Sequence, residues 1–548
     1  MSYVYEDYVE EQLSPEGLLQ DIKFHVPENF NFAYDVVDVL AKKSPDRLAM
    51  LWCNDEGEER KFTFGDISRL SNKAANVFRD AGIKKGDMVM LVLKRHYEFW
   101  YAIMGLCKLG AVAIPGTDML MAKDLVYRFN SAGVCAIVCT ADGNIAKSVD
   151  EAQAECPTLK HKFGVRGHMD GWDDFASLVD AASDQFERVE NHWRDMMLLY
   201  FTSGTTGQPK MVWHNFAYPI AHIVTARHWH NVDPNGIHFT MAETGWGKAV
   251  WGKLYGQWFC EAAIFTYDYS TRFKPADALS MIEKYHITTF CAPPTIYRFF
   301  IAEDLSKFDL SSLQHVTIAG EALNPEVFYA FEKATGLKLR EGFGQTETTL
   351  TVLTQRYMEP RPGSMGRPSP AYHTDIVDEN GESVRPGQSG EIVIRLDDGF
   401  PIGMFGGYLH DEERFQYVCR NGMYHTGDVA WRDEDNYYWY VGRTDDLIKS
   451  SGYRIGPFEV ESVLMEHPAV LECAVTGAPD PIRGQIVKAT IVLNRGYEPT
   501  EALTKEIQNY VKVHTAPYKY PRLVEYVAEL PKTISGKIRR VELREKNS

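Results

Sequence analysis

The sequence predicts an α/β protein. Its large N-terminal domain is built of parallel α/β sheets with a small barrel-like antiparallel subdomain, and a small, mobile α+β domain forms the C-terminus. Three observations predict this. From about residue 34 onward helical and strand patterns alternate, the rhythm of βαβ units and a parallel sheet. Beyond about residue 370 the rhythm gives way to short strands between turn-rich loops. After Gly442 the charged stretch Arg443-Thr444-Asp445-Asp446 sets off a tail in which short strands alternate with two helices. The boundaries read as 1–442, a hinge at 443–447, and 448–548. A chain of 548 residues exceeds the roughly 250–300 at which one core stops growing, so such a division is expected.

Residues 1–33 read as an irregular arm. Ile67, Leu70, Ala74, Val77, Phe78 and Ala81 then recur at helical spacing, with Gly82 as the stop. Residues 88–93 form a continuous apolar strand, 97–109 a helix and 112–115 another strand, and a similar unit recurs at 134–139. Residues 196–201 are a short apolar run of the kind a buried parallel strand shows. Later strands are expected at 390–395 and 437–441, and in the tail at 471–476, 487–493 and 523–527.

Hydrophobic content of 45% and charged content of 24% are those of an ordinary globular protein. A formal net charge of −17 argues against non-specific binding to nucleic acid or anionic membrane, so an anionic substrate must be held by locally placed cations. The nine cysteines are scattered without metal-site spacing, and Cys135 and Cys139 read as small core hydrophobes. The acidic N-terminus lacks the pattern of a leader peptide, and the best apolar run, 99–115, is interrupted by Lys108. A soluble cytoplasmic protein without a membrane span is expected, and a homo-oligomer is allowed.

The motif around which the chain is organised lies at 198–212. An apolar strand breaks into Thr202-Ser203-Gly204-Thr205-Thr206-Gly207, followed by Gln208, Pro209 and Lys210. Small hydroxyl residues and glycines let backbone N–H groups and hydroxyls wrap a phosphate, with Lys210 as the cation. A cluster of Ser, Thr and Gly is ordinarily a surface loop. One that leaves a buried strand and ends in Pro-Lys suits an anion better. Gln208 and Pro209 separate Gly207 from Lys210, so this is not the P-loop of nucleotide triphosphatases. Arg340-Glu341-Gly342-Phe343-Gly344-Gln345-Thr346-Glu347-Thr348 combines a tight glycine turn with a hydroxyl and a hard oxygen ligand suited to magnesium.

The first stretch resembles the phosphate-binding signature of adenylate-forming enzymes, the superfamily of acyl-CoA synthetases, firefly luciferase and peptide-synthetase adenylation domains. Four further segments match that family in order. The resemblance implies that Thr202, Ser203, Gly204, Thr205 and Thr206 contact phosphate. It implies that Glu341, Gly342, Phe343 and Gly344 lie along the adenine, that Thr346 meets phosphate and that Glu347 holds Mg²⁺. Gly320, Glu321 and Ala322 resemble the segment whose backbone brackets the adenine. Asp428, in Tyr424-His425-Thr426-Gly427-Asp428, matches the aspartate that accepts both ribose hydroxyls, and Arg443 the arginine beside the ribose. Asp445 matches the hinge position. Ser451, Gly452 and Tyr453 match the loop that swings in for the thioester half-reaction, Arg454 an arginine near the nucleotide, and Arg483 one that meets CoA phosphates. Lys537, in Pro531-Lys532-Thr533-Ile534-Ser535-Gly536-Lys537, matches the mobile catalytic lysine.

The implied activity is that of an acid–thiol ligase using ATP, Mg²⁺ and coenzyme A: an acyl-CoA synthetase that forms acyl-AMP, releases pyrophosphate and transfers the acyl group to CoA. Acetate-specific members carry Trp where this chain has Gly344, so acetate should be a poor substrate. Trp246, Gly247 and Trp251 match the family's acyl pocket, for a short-to-medium, branched or aromatic acid. Alternatives are an adenylation enzyme loading a carrier protein, a luciferase-like oxygenase and a nucleotide-binding regulator without catalysis.

Overall fold

The computed structural model describes residues 2–141, 144–202, 208–270, 272–321, 323–451, 453–532 and 537–547. The expected βαβ rhythm builds the first large sheet. Across its width run Gly407–Tyr408, Lys210–Asn215, Met196–Thr202, Val112–Pro115, Met88–Val92, Ala136–Thr140, His161–Val165 and Asp173–Asp174. From Met196–Thr202 onward the neighbours are parallel, whereas Lys210–Asn215 folds back antiparallel on it. Met196–Thr202 is thus the place where the sheet changes direction, and a loop of small residues leaves from its end.

Helix Glu98–Leu109 is the crossover between two of these strands and is buried on every side. It lies tight against helix Phe64–Asp80, because a Cβ on Gly105 would stand 2.8 Å from Ala74 Cβ. Thr63 opens that second helix with a reciprocal capping box to Asp66. Lys108, which interrupts the apolar run in the sequence, is fully buried here and donates to Asp38 Oδ1 (2.7 Å) and Asn72 Oδ1 (2.6 Å). No helix among the described residues is long and apolar enough to cross a membrane.

The second sheet places Leu48–Asn54, Ala263–Asp268, Ile237–Thr240, Thr289–Ala292, His315–Ile318 and Leu339–Gly344 side by side and parallel. Beyond Leu339–Gly344 the pairing turns antiparallel, through Leu350–Leu353, Ser364–Pro368, Tyr438–Arg443, Met423–Arg432, Ser389–Arg395 and Thr374–Val377. The antiparallel part therefore begins about twenty residues before the change of texture in the sequence. It continues the parallel sheet, with Leu339–Gly344 as the junction. The C-terminal strands Tyr453–Ile455, Ile448–Ser450, Gly484–Leu493, Val470–Asp480 and Leu523–Tyr526 form a separate sheet. Helices Pro457–Met465 and Glu501–His514 accompany it, together with a short third, Arg540–Glu545, that the sequence pattern did not suggest.

Residues 1–33 are not an irregular arm. Val9–Leu13 and Leu19–Phe24 pair as an antiparallel hairpin. Its charged outer positions, Glu10, Asp21 and Lys23 among them, hide the alternation, since only one face of the ribbon meets the core.

Asp38→Ala should destabilise the fold by about 3 kcal/mol, because it leaves the buried Lys108 ammonium without its counter-charge. Urea unfolding checks this, and an unchanged midpoint would show that Asn72 alone suffices.

Candidate active site

Strand order brings the predicted motifs to one place. Thr202 pairs directly with Lys210, so the loop between them starts and ends at the same point of the sheet edge. Ser203, Gly204, Thr205 and Thr206 lie outside the described residues. The Lys210 ammonium stands 5.5 Å from the centre of the Tyr408 ring. Burial lowers its pKa, and the nearby Glu347 carboxylate opposes that shift.

Glu347 is buried, and its Oε1 accepts from the Tyr408 hydroxyl at 2.8 Å. Its backbone carbonyl accepts from Phe405 N–H, which ties the turn 345–348 to the segment leading into Gly407–Tyr408. The Thr346 carbonyl accepts from His214 Nε2 at 2.7 Å. Burial takes the His214 pKa down to about 4, so the ring is neutral and Nε2 carries the proton it donates. Strand Lys210–Asn215 thus supplies a cation at one end and fixes the glutamate turn at the other.

Asp428 is the second centre. Its Oδ1 accepts from the Tyr440 hydroxyl (3.0 Å), and its Oδ2 from Gln345 Nε2 (2.6 Å) and Arg443 Nη1 (3.2 Å). Gln345 Oε1 in turn accepts from the Tyr424 hydroxyl at 2.7 Å. Burial raises the Asp428 pKa, and Arg443, Tyr440, Gln345 and the Lys537 ammonium hold it down. The charge of Lys537 thus reaches Asp428 across the boundary from the C-terminal segment. It also opposes the protonation of Lys248, whose pKa burial lowers.

Lys248 donates to the Ala319 carbonyl at 2.7 Å and lies 5.6 Å from the Trp251 ring centre. A Cβ on Gly320 would come within 3.9 Å of the Lys248 ammonium, and Gly320 itself has φ +110°, which glycine alone adopts freely. Glu321 is exposed and accepts from Thr295 Oγ1 at 3.3 Å, while Ala322 lies outside the described residues. Trp251 stacks on His230 and lies 5.9 Å from Trp229. Nothing stands within 4 Å of where a Gly247 Cβ would be, so the start of helix Gly247–Gly252, just after Trp246, faces open space.

Several predicted residues lie in tighter surroundings than their motifs alone suggest, and Gly344 corrects an expectation. Glu341 does not face an open site: it is fully buried, accepts from Leu323 N–H at 3.2 Å, and burial pushes its carboxyl up to about 8. Gly342 gives way to Trp229, whose indole atoms lie 2.9 Å from where a Cβ would be. Phe343 is half-buried, 6.4 Å from the Tyr440 ring. Gly344 does not open a pocket by lacking an indole. A Cβ there would meet the Thr349 carbonyl oxygen at 2.3 Å, at the bulge between Leu339–Gly344 and Leu350–Leu353. Arg454 has its side chain more than half exposed and paired with Glu379.

Ser451, Tyr453 and Arg483 do come together. Ser451 N–H donates to the Arg483 carbonyl (3.0 Å), Arg483 Nη1 donates to Ser451 Oγ (3.3 Å), and Tyr453 stacks on Tyr518 at 4.0 Å. Gly452 lies outside the described residues. Asp445 is exposed, 3.6 Å from Arg443, and its carbonyl accepts from Arg544. Sequence reasoning missed Lys248, Gln345, Tyr408, Tyr424, Tyr440 and Trp229. Gln345 and Tyr424 sat inside quoted motifs and Lys248 beside Gly247, whereas Tyr408, Tyr440 and Trp229 become neighbours of the site only through tertiary packing.

Gly344→Trp should abolish activity toward every acid and lower the melting temperature by several degrees, since the added side chain meets strand backbone. A folded variant merely narrowed to acetate would contradict this geometry.

Comparison with known proteins identifies the family. The family described as AMP-binding enzyme matches residues 37–409, and that described as AMP-binding enzyme C-terminal domain matches 459–537. The chain is 43% identical over 541 residues to the acyl-coenzyme A synthetase ACSM3, mitochondrial, of Mus musculus, covering 97% of this chain and 93% of that one. It is 43% identical over 531 residues to ACSM4, mitochondrial, of Homo sapiens, covering 95% and 91%. Among solved structures, the anthranilate CoA ligase AuaEII in complex with anthranoyl-AMP superimposes with a TM-score of 0.86 at 30% identity, over 95% of this chain and 98% of that one. A benzoate CoA ligase from Burkholderia xenovorans LB400 gives 0.82 at 25%, over 94% and 100%.

Proposed function

Since the chain belongs to the AMP-binding enzyme family, and is an acyl-CoA synthetase within it, we propose that it activates a short-to-medium-chain, branched or aromatic carboxylic acid. The observation that carries the reading is the convergence of three lysines from separate segments. The Lys537 ammonium acts on both Asp428 and Lys248, while Lys210 lies over the Tyr408 ring, whose hydroxyl holds Glu347 in the turn 345–348.

A carboxylate is a poor acyl donor because oxide would have to leave. Attack of its oxygen on the α-phosphorus of ATP breaks the bond to pyrophosphate and makes a mixed anhydride from which AMP departs easily. Negative charge gathers on the phosphate oxygens, so positioned cations are the main source of acceleration. Lys210 and Lys537 supply two, with the amides and hydroxyls of 202–206 as further donors. Glu347, with one oxygen fixed by Tyr408, suits a Mg²⁺ ion held mostly by substrate phosphates, and bound Mg²⁺ would neutralise phosphate charge there. Asp428 takes the ribose hydroxyls, with Arg443 beside it, and the backbone at 320–322 and 342–344 borders the adenine.

The acid lies between Gly247, Trp246, Lys248 and Trp251. Support for an acid larger than acetate comes from the open space at Gly247. Support for aromatic acids comes from the anthranilate and benzoate ligases that the fold matches. After pyrophosphate leaves, the C-terminal domain turns about Asp445, Lys537 withdraws, and Ser451, Gly452, Tyr453 and Arg483 come round with CoA. The thiolate sulfur then attacks the acyl carbonyl and AMP leaves. The proposed compartment is the cytoplasm; nine free thiols suit a reducing interior, and fractionation separates it from the mitochondrial setting named for the relatives.

Lys537→Ala should slow pyrophosphate release by about a hundredfold while leaving CoA transfer from preformed acyl-AMP nearly intact. Equal loss in both halves would count against a lysine acting only in the first. Butyrate should surpass acetate by about tenfold in kcat/KM, as two buried methylenes imply, and a maximum at acetate would overturn the pocket. Because burial depresses the Lys210 pKa, its ammonium is present below that value and lost as pH rises through it. The alkaline limb of the adenylation profile should move upward in Lys210→Arg, and an unmoved limb would remove Lys210 from that role.

A further inference from the structure

The N-terminal hairpin, unforeseen in the sequence, leads directly to the acid pocket. Helix Tyr218–Val224 ends in a π-turn, Thr225–Trp229, a rare form that often marks functional positions. Three of that turn's residues are fixed from outside it. Arg227 donates twice to Glu11 of the hairpin, Nε to Oε1 (3.0 Å) and Nη2 to Oε2 (2.7 Å), and its guanidinium covers the Tyr5 ring. His228 Nε2 meets Glu11 Oε1 at 2.9 Å. Trp229 follows immediately. Its indole N–H is shared between the Arg340 and Glu341 carbonyls, its own carbonyl accepts from His315 Nε2, and its ring fills the space left by Gly342.

A second tie lies a strand away. The Gln355 side chain both donates to the Leu19 carbonyl (3.0 Å) and accepts from Leu19 N–H (2.7 Å). Leu19 then packs in one cluster with Trp229, Cys291, Ala319 and Leu350, against which Ile22, Phe24 and Trp251 also rest. The hairpin is therefore the outer layer behind the Trp229–Trp251 pair, with a nearly buried bidentate ion pair as its anchor.

We propose that the N-terminal hairpin is a positioning element for acid recognition, with Glu11 as the residue through which it sets where the Trp229 indole stands. This rests on the reading of Trp251, backed by Trp229, as the end wall of the acyl pocket. Glu11 touches no substrate. It fixes two consecutive residues of the π-turn, so the third, Trp229, keeps one depth against Gly342. A charge-assisted bidentate contact is directional, which a purely apolar cover would not be.

The test uses the full chain with Glu11→Ala, Glu11→Gln and Trp229→Phe, read by pyrophosphate release with butyrate, hexanoate, octanoate and benzoate, and by KM for ATP. Glu11→Ala should raise the acid KM by about tenfold for the largest acids and less for butyrate, while KM for ATP stays within about twofold. Glu11→Gln, which keeps the shape and part of the hydrogen bonding, should give the same reordering at smaller size. If all acids and ATP weaken by one common factor, or if nothing changes, Glu11 has only a structural role and the inference fails. Should Trp229→Phe leave the order of acids untouched, the pocket reading itself fails. Should Trp229→Phe reorder them and neither Glu11 variant do so, the pocket stands and the hairpin's part alone is overturned.

Discussion

Asp428 sets a condition that much of the molecule is arranged to meet. A carboxylate taken out of water is stable only where donors replace the lost hydration. Three do so here: Gln345 from the glycine-rich turn, and Tyr440 and Arg443 from the neighbouring strand. That arrangement requires Leu339–Gly344 to end the parallel sheet and begin the antiparallel one, because only then do 345 and 428 meet. It also requires Met423–Arg432 and Tyr438–Arg443 to pair in the register that sets Asp428 opposite Arg443. The same arginine is the first residue of the proposed hinge, so the proposed nucleotide site and that hinge share one side chain.

What the sequence made legible was local. Loop 202–210 and the turn 340–348 declare themselves by residue type and spacing, whereas Asp428, Arg443 and Lys537 were legible only through the family resemblance; the structure joins Gln345, Asp428 and Arg443 by hydrogen bonds. Their partners were not legible, because they are brought in by long-range pairing. Tyr408 reaches Glu347 across 61 positions, and Trp229 reaches Glu341 across 112. Gly344 misled for a physical reason. A glycine that replaces a large residue can signal an emptied pocket or a backbone that has moved in, and here the Thr349 carbonyl occupies the space. The hairpin at the N-terminus was hidden by its charge, since a ribbon with one buried face carries half the apolar signal of a buried strand.

The proposed alternation of the C-terminal domain bears on where Arg454 pairs. The Lys537 charge acts on Asp428 in this arrangement, and Arg454 pairs with Glu379. A chain that uses one domain for two half-reactions cannot satisfy both sets of contacts at once, so a single arrangement necessarily leaves one set unassembled. The cluster of Ser451, Tyr453 and Arg483 is the complementary case: its members are already together, on a face turned to solvent.

The strength of the contacts between the domains fits such alternation. The Arg454–Glu379 pair is mostly exposed, and exposed pairs contribute about 0–1 kcal/mol. Tyr440 and Phe458 touch edge-on at 6.1 Å, and Gly456 lies so close to the Val441 carbonyl that a Cβ would overlap it. These are contacts of shape beside the hinge, where a turn about 443–447 disturbs them least. The strong, buried pairs lie within each domain, Arg540 with Glu461 on one side and Arg443 with Asp428 on the other. Breaking a buried pair costs about 3–5 kcal/mol, and breaking an exposed one costs a fraction of that. In the proposed cycle the domain can therefore release Lys537 without dismantling either core, and the division of strong contacts from weak ones follows the line along which the proposed rotation would run.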